Sequence, residues 1–424
     1  MVDGKIIFLV MERRVVITGV GVITPVGNNV SDFWKNLKEG YCGIDLLDGV
    51  DVGQLPIKVA GQVKNFNPEE YGIDRASVRK SDLYCQYALA AAQQAMSDCG
   101  LVSGENIDPE RLGVYVGSGI GGMATFVNET ATLLNEGPHR ISPLFIPMMI
   151  SNIASGNIAI KYNAQGVCLP VVTACATGTH SAGEAFRAIK NGYADAIITG
   201  GAEAAVHPLA IGGFCNSKAL TKAEDPKQAS IPFDKRRSGF VIAEGAGILV
   251  FEEYEHAKAR GAKIYAEVCG YGNNCDAYHY TAPRPGGAVA AKAIKAALDE
   301  AAFDDKKDLL YINAHGTSTP LNDKTETEAV KLALGDEAAR KAKISSTKSM
   351  TGHMLGATGG VELVATALAL YDGTVPPTIG LNEPDEECDL DYTPNKAVKC
   401  DLTIGISNSL GFGGHNACVA LRKM

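Results

Sequence analysis

The chain has 424 residues, 46% of them apolar and 21% charged, with a formal net charge of −9. That size and composition suit one large α/β unit or two coupled domains, and the acidic balance argues against nucleic acid or an anionic membrane as the main ligand. Its 11 cysteines are an odd number with no CxxC pair, which argues against a disulfide framework or zinc ribbon and for a reducing compartment.

The apolar run Ile6–Met11 is too short for a spanning helix or a signal-peptide core, and Met11 is a candidate alternative start because patterned sequence begins at Arg13. No later segment is apolar for long enough to span a bilayer. The expectation is a cytoplasmic protein, neither exported nor membrane-embedded. In chain order the periodicities predict strand Val15–Val20, helix Ser81–Cys99, strand Leu112–Gly117, helix Pro147–Tyr162, strand Val167–Thr173 and helix Thr177–Asn191. Strands Ala196–Gly200, Gly247–Glu252 and Ile264–Tyr271 follow, then helix Gly287–Ala302, strand Leu309–Asn313 and helices Asp323–Leu334 and Ala357–Leu370. Strands Thr403–Ser407 and Ala417–Leu421 close the chain. Strands alternating with helices of this length predict parallel sheets covered on both faces. The charged stretch Glu252–Lys263 is the weakest point and divides the chain into halves 12–262 and 263–424. Both halves place a glycine-rich turn between a strand and an Ala-rich helix (VVTACATGTHSAGEA and SSTKSMTGHMLGATGGVELVA), a pattern compatible with duplication.

Within PVVTACATGTHS, Cys175 stands at a turn into a helix, where unpaired N–H groups and the helix dipole favour a thiolate nucleophile. Position alone leaves a buried core cysteine as an equal reading. In YINAHGTSTP, His315 follows a strand; in SSTKSMTGHMLGATGG, Lys348 and His353 lie on a glycine-rich turn ahead of a helix. The carboxyl ends of strands are where α/β folds assemble sites. Three such residues could hold zinc, but ligands so dispersed suit a nucleophile with two hydrogen-bonding histidines better. A rival reading comes from Gly117, Gly119 and Gly122, which fit GxGxxG after a strand. The acidic residue of a nicotinamide site is missing, so that fingerprint is incomplete.

The motifs VTACATGTHS, NAHGTSTPLND, TKSMTGHMLGATGGVE and SNSLGFGGHNA, in this order, closely resemble those of the β-ketoacyl-[acyl carrier protein] synthases, in particular the synthase II branch. The resemblance runs from about Arg13 to Arg422. It implies a thiolase-like, duplicated, five-layered α/β/α/β/α fold and a homodimer. The implied activity is the decarboxylating condensation of an acyl primer with malonyl carrier that elongates fatty acids, or its polyketide counterpart on the same fold. Cys175 would take the acyl chain, His315 and His353 would bind the malonyl thioester carbonyl, and Lys348 would balance charge. The backbone N–H groups of Cys175 and Phe412 would form an oxyanion hole, with Phe412, Gly411 and Gly413 in a gating loop. Thr317 and Thr319 match positions that bond the pantetheine arm, while Ile120 and Phe214 match substrate-pocket positions. Arg79, Lys80 and Lys218 stand near carrier-docking positions. Asn313, Glu362, Ser407 and Asn416 match a structural monovalent-cation site; no other cofactor is implied.

Initiating relatives carry asparagine where this chain has His353, and partner subunits lack the nucleophile, so the set points to an elongating enzyme. By the same resemblance, Ile120 in GSGIGG lies where synthase II enzymes line the acyl pocket and synthase I enzymes usually have a smaller residue, which points to the synthase II branch. Leu410 departs from the family's usual phenylalanine, and the first ten residues have no family counterpart.

Overall fold

A computed structural model describes residues 13–424; the run Ile6–Met11 and the candidate start Met11 lie outside the described residues. Nine strands make one sheet: β1 Val15–Ile23, β2 Leu112–Gly117, β3 Ala196–Glu203, β4 Gly245–Glu253, β5 Ala266–Cys275, β6 Leu310–Asn313, β7 Lys343–Ser345, β8 Ile404–Gly411 and β9 His415–Arg422. Their spatial order is β2-β3-β4-β1-β5-β9-β8-β6-β7. The main helices are α1 Leu83–Cys99, α2 Met123–Glu136, α3 Ile153–Tyr162, α4 Thr177–Lys190, α5 Pro208–Asn216, α6 Ala288–Glu300, α7 Pro320–Leu334 and α8 Thr358–Asp372.

The sheet is mixed, which corrects the expectation of parallel sheets. Only β2/β3, β8/β6 and β6/β7 pair in parallel. Parallel neighbours need a crossover, and α4, α7 and α8 supply it there. Elsewhere β8 and β9 form a hairpin, and β1 lies antiparallel to both β4 and β5.

Five layers result. Helices α1 and α3 cover one face of the β2-β3-β4-β1 half, while α6 covers the far face of the β5-β9-β8-β6-β7 half with α7 packed beside it, Ala329 and Val330 joining the same apolar cluster. Between them α4 and α8 pack on both halves and on each other. Thr358–Leu370 is buried throughout, as a helix between two sheets must be. The halves join where Val15 to Ile17 of β1 pair with Ala266 to Val268 of β5. The stretch Glu252–Lys263 links them through a short helix, Tyr254–Ala259, and buried Glu252 binds Thr18, His256 and Arg260.

The duplication shows in matching turns. Ala174–Ala176 and Leu355–Ala357 are both 3-10 turns feeding the central helices, and Ala174 (φ 51) and Leu355 (φ 47) share the left-handed conformation. The helix starts touch through glycine: a Cβ on Gly178 would lie 2.5 Å from the Gly360 nitrogen.

Two further expectations fail. Val167–Thr173 is an extended edge segment with a single bridge, Cys168 to Val114, because Pro170 removes a donor from the ladder. Its Leu169 and Val172 side chains are about half exposed. The predicted helix Pro147–Tyr162 is two helices, Phe145–Met149 and α3, because Ile150 is extended and its carbonyl accepts from the Tyr84 hydroxyl at 2.6 Å. Among the described residues, no helix is long and apolar enough to cross a membrane.

Candidate active site

The nucleophile candidate is set by backbone strain. Ala174 occupies a region that costs an L-residue energy, and the turn delivers Cys175 into a closed position, 9% exposed, ahead of α4. Its sulfur faces the N–H groups of Phe412 and of Cys175 itself. The apolar cluster around it includes Ile211, Phe240, Ile242 and Leu355, with Met123 and Phe214 against it.

His315 follows β6. Its N–H and that of Gly316 each donate to the buried Glu326 carboxylate of α7 at 2.7 Å, and Asn408 Nδ2 donates to the same group at 2.7 Å. At Gly316 (φ 36) a Cβ would meet Ser346 at 2.6 Å, so only glycine permits this turn. His353 bridges Ile242, with its N–H donating to the Val241 carbonyl at 2.8 Å. Its Nδ1 lies 3.0 Å from the Thr358 hydroxyl, and the Phe240 ring packs edge-on at 5.2 Å. His315 Nδ1 is buried with no hydrogen-bond partner in the protein.

Cys175, His315, His353, Thr317, Thr319 and Phe412 line one cavity of about 390 Å³, whose walls also include Phe214, Lys218 and Gly411. Gly413 lies in the same loop, between Phe412 and Gly414. Across the cavity Asn416 Nδ2 donates to Asp276 at 2.8 Å, and the Gly413 N–H donates to the Tyr280 carbonyl at 2.8 Å, tying the glycine-rich loop to segment 276–286.

Burial dominates the electrostatics. It pushes the Cys175 thiol up to about 11, against the pull of the Lys348 ammonium and the Phe412 N–H. This corrects the expected resting thiolate: desolvation outweighs the helix terminus, and the resting group is a thiol. Both histidines are held well below the ordinary imidazole value by burial and by Lys348, so both are neutral. Lys348 Nζ lies 2.5 Å from Glu362 Oε1, each residue 1% exposed. Burial raises Glu362 to about 7.

Other sequence-derived candidates are only partly brought together. Ile120 is 37% exposed on the loop after β2 and does not line the cavity at Cys175. Arg79 and Lys80 are exposed, away from the cavity. Asn313 Nδ2 donates to the Glu362 carbonyl at 3.2 Å, and Ser407 is its register partner. Asn416 lines the cavity at Cys175 instead, its Nδ2 donating to Asn274 Oδ1 and Asp276 Oδ1. Among the described residues, no group of three or more His, Cys, Asp or Glu side chains is placed to hold a metal ion. The GxGxxG turn does not offer its N–H groups to a phosphate: Gly119 and Ile120 donate to Glu203. Glu203, Glu326, Thr358 and Phe240 also hold the site, although no motif in the sequence singles them out. The one available signal was an acidic residue closing the glycine-containing strand AIITGGAE.

The layered fold and the buried Cys–His–His cavity define a condensing enzyme of the thiolase-like class. Residues 12–257 match the Beta-ketoacyl synthase, N-terminal domain, and residues 265–382 the corresponding C-terminal domain. The chain is 50% identical over 412 residues to the 3-oxoacyl-[acyl-carrier-protein] synthase 2 of Staphylococcus aureus (strain COL), covering 97% of this chain and 99% of that one. It is 49% identical over 413 residues to the protein of the same name from Synechocystis, covering 97% and 98%. A beta-ketoacyl synthase from Burkholderia phymatum superimposes with a TM-score of 0.90 at 33% identity, covering 97% and 100%. A type II polyketide ketosynthase, solved in complex with its acyl-carrier protein, gives 0.88 at 36%, also covering 97% and 100%. The chain belongs to the beta-ketoacyl synthase family.

Proposed function

We propose that the protein is a 3-oxoacyl-[acyl carrier protein] synthase of the elongating, synthase II kind. The observation that carries this is the convergence of Cys175 with two buried, neutral imidazoles in one cavity. The Cys175 sulfur attacks the acyl thioester of the carrier, and the departing pantetheine sulfur takes up the proton that Cys175 gives up. The oxyanion of that step sits against the N–H groups of Cys175 and Phe412. Malonyl thioester then enters along Thr317 and Thr319, its carbonyl oxygen accepting from His315 and His353. Loss of carbon dioxide leaves an enolate at that oxygen. Its carbon attacks the Cys175 thioester, a C–C bond replaces the C–S bond, and the released thiolate takes a proton from solvent. Neutral imidazoles suit this, since each offers an N–H without competing with Lys348 for charge. Lys348, paired with Glu362, sets the local potential and does not react. Phe412, between Gly411 and Gly413, gates the malonyl side; Phe214 shapes the primer side at Cys175, and Ile120 its far end, on the loop that runs into Met123.

Carrier protein is the partner. An acidic carrier on an acidic enzyme needs local positive charge, and exposed Arg79 and Lys80 supply it, with Lys218 at the cavity mouth. The second copy of a homodimer covers the edge of the sheet, where Leu169 and Val172 stand exposed. A monovalent cation fits beside Asn313, Glu362 and Ser407, where Glu362 Oε2 and Ser407 Oγ are buried acceptors without a partner. Bound there, it would neutralise carboxylate charge; melting in potassium, sodium or tetramethylammonium chloride tests it, and identical curves would discard the site. A fatty-acid role is favoured over a polyketide one by the 50% relatives against 36% for the polyketide ketosynthase. Condensation assays with purified carrier and primers of graded length test the whole reading. Loss of primer and malonyl carrier without a 3-oxoacyl product would overturn it.

A further inference from the structure

The glycine-rich turn after β2 has the form of an anion cradle, and the anion it holds is the protein's own. Glu203, the last residue of β3, is fully buried. Its Oε1 accepts from the Ser118 hydroxyl at 2.7 Å and the Ile120 N–H at 3.2 Å; its Oε2 accepts from the Gly119 N–H at 2.9 Å and the Gly356 N–H at 3.0 Å. Three of the four donors belong to the loop that carries Ile120 and runs into Met123 of the apolar cluster at Cys175. The fourth lies in the other half of the molecule, between His353 and Thr358, whose side chains bond each other. The carboxylate in turn requires glycine at both backbone donors on Oε2, since a Cβ on Gly119 or Gly356 would meet Glu203 Oε2 at 2.8 or 2.9 Å. Four converging donors suit a carboxylate, which is acceptor-only.

We infer that Glu203 is a positioning residue that locks the loop carrying Ile120 to the turn carrying His353, so that the primer side and the decarboxylating side of Cys175 keep one geometry. The inference rests on the roles proposed for Cys175 and His353. Glu203 also acts on the sulfur through space: its charge raises the Cys175 thiol, in opposition to Lys348.

The test uses Glu203→Gln and Ser118→Ala in the full-length protein. Three readouts are taken: primer transfer to Cys175 across chain lengths, carbon dioxide release from malonyl carrier, and the pH profile of Cys175 alkylation. Misplaced groups cost on the order of tenfold to a hundredfold in rate, so Glu203→Gln should slow decarboxylation by at least about tenfold and flatten primer selectivity. Removing the fixed negative charge should move the alkylation profile to lower pH, which a purely structural residue would not do. Ser118→Ala touches only the loop side and should disturb primer selectivity more than decarboxylation. A folded Glu203→Gln enzyme with an unshifted profile, whether its rates are unchanged or fall equally, overturns the inference. Should that variant not fold, unchanged primer selectivity in Ser118→Ala overturns it alone. Failure of the underlying reading looks different: the wild-type protein would carry the acyl group on another cysteine, or His353→Ala would still decarboxylate normally.

Discussion

The rings of His315 and His353 stand edge to face, 5.4 Å between centroids and 89° between planes, although 38 positions separate them in the chain. One is delivered by the carboxyl end of β6 and held by Glu326; the other is delivered by the turn before α8 and held by Thr358. Their ring nitrogens can therefore approach one oxygen from two directions.

If both bind the developing enolate, His315→Ala and His353→Ala should each lower decarboxylation by roughly a hundredfold or more. Primer transfer to Cys175 should fall much less. Released carbon dioxide and acyl-enzyme mass measure the two steps separately; normal decarboxylation in both variants would contradict the assignment.

Cys175→Ala should abolish condensation with the fold intact. In the wild-type protein, Cys175 has its thiol raised to about 11 by burial, so its thiolate fraction grows steadily through neutral pH. Alkylation of Cys175 should accelerate by about tenfold per pH unit between pH 6 and 9. A plateau at neutral pH would mean a resting thiolate.

His180, buried behind the nucleophile turn, has Nδ1 2.9 Å from the Thr173 hydroxyl and 3.2 Å from the Ala176 carbonyl. Burial lowers its imidazole to about 4 from an ordinary 6.5. The unfolded chain then binds the extra proton between those values, so stability is complete above about pH 6.5 and drains away as pH falls towards 4. The swing is on the order of 3 kcal/mol. Melting temperatures from pH 4 to 7 should fall less steeply in His180→Gln; an identical slope would remove His180 from the account.

Arg79→Glu combined with Lys80→Glu should raise KM for the carrier and weaken its salt dependence, since opposite exposed charges attract most at low ionic strength. An unchanged KM at low salt would exclude them from docking.

The exposed edge segment makes a prediction about assembly. Leu169→Glu with Val172→Lys places charge on a face that a second copy would bury, and should convert a dimer to monomers by light scattering. A wild-type chain that is already monomeric at micromolar concentration would refute the dimer.

The motifs around Cys175, His315, Lys348 and His353 were legible in the sequence because nucleophile, bases and glycines must sit at fixed local spacing for their turns to form. Periodicity located most core strands and helices for the same reason: side-chain direction repeats every 2 or 3.6 residues. Direction of strand pairing was not legible, because a strand's pattern records which face is buried and not which neighbour it meets. Nor was the protonation state of Cys175, which the helix terminus favours one way and enclosure by both halves decides the other way. Glu203 showed in the sequence only as an acidic residue closing AIITGGAE; its role was not legible, because its four donors come from Ser118, Gly119, Ile120 and Gly356, and only folding brings residues so far apart in sequence around one carboxylate. The sequence by itself determined the reactive groups and the local turns that present them; the tertiary structure alone decided their charge, their mutual distance and which glycine-rich turn holds an anion, since burial and long-range contact have no local signature.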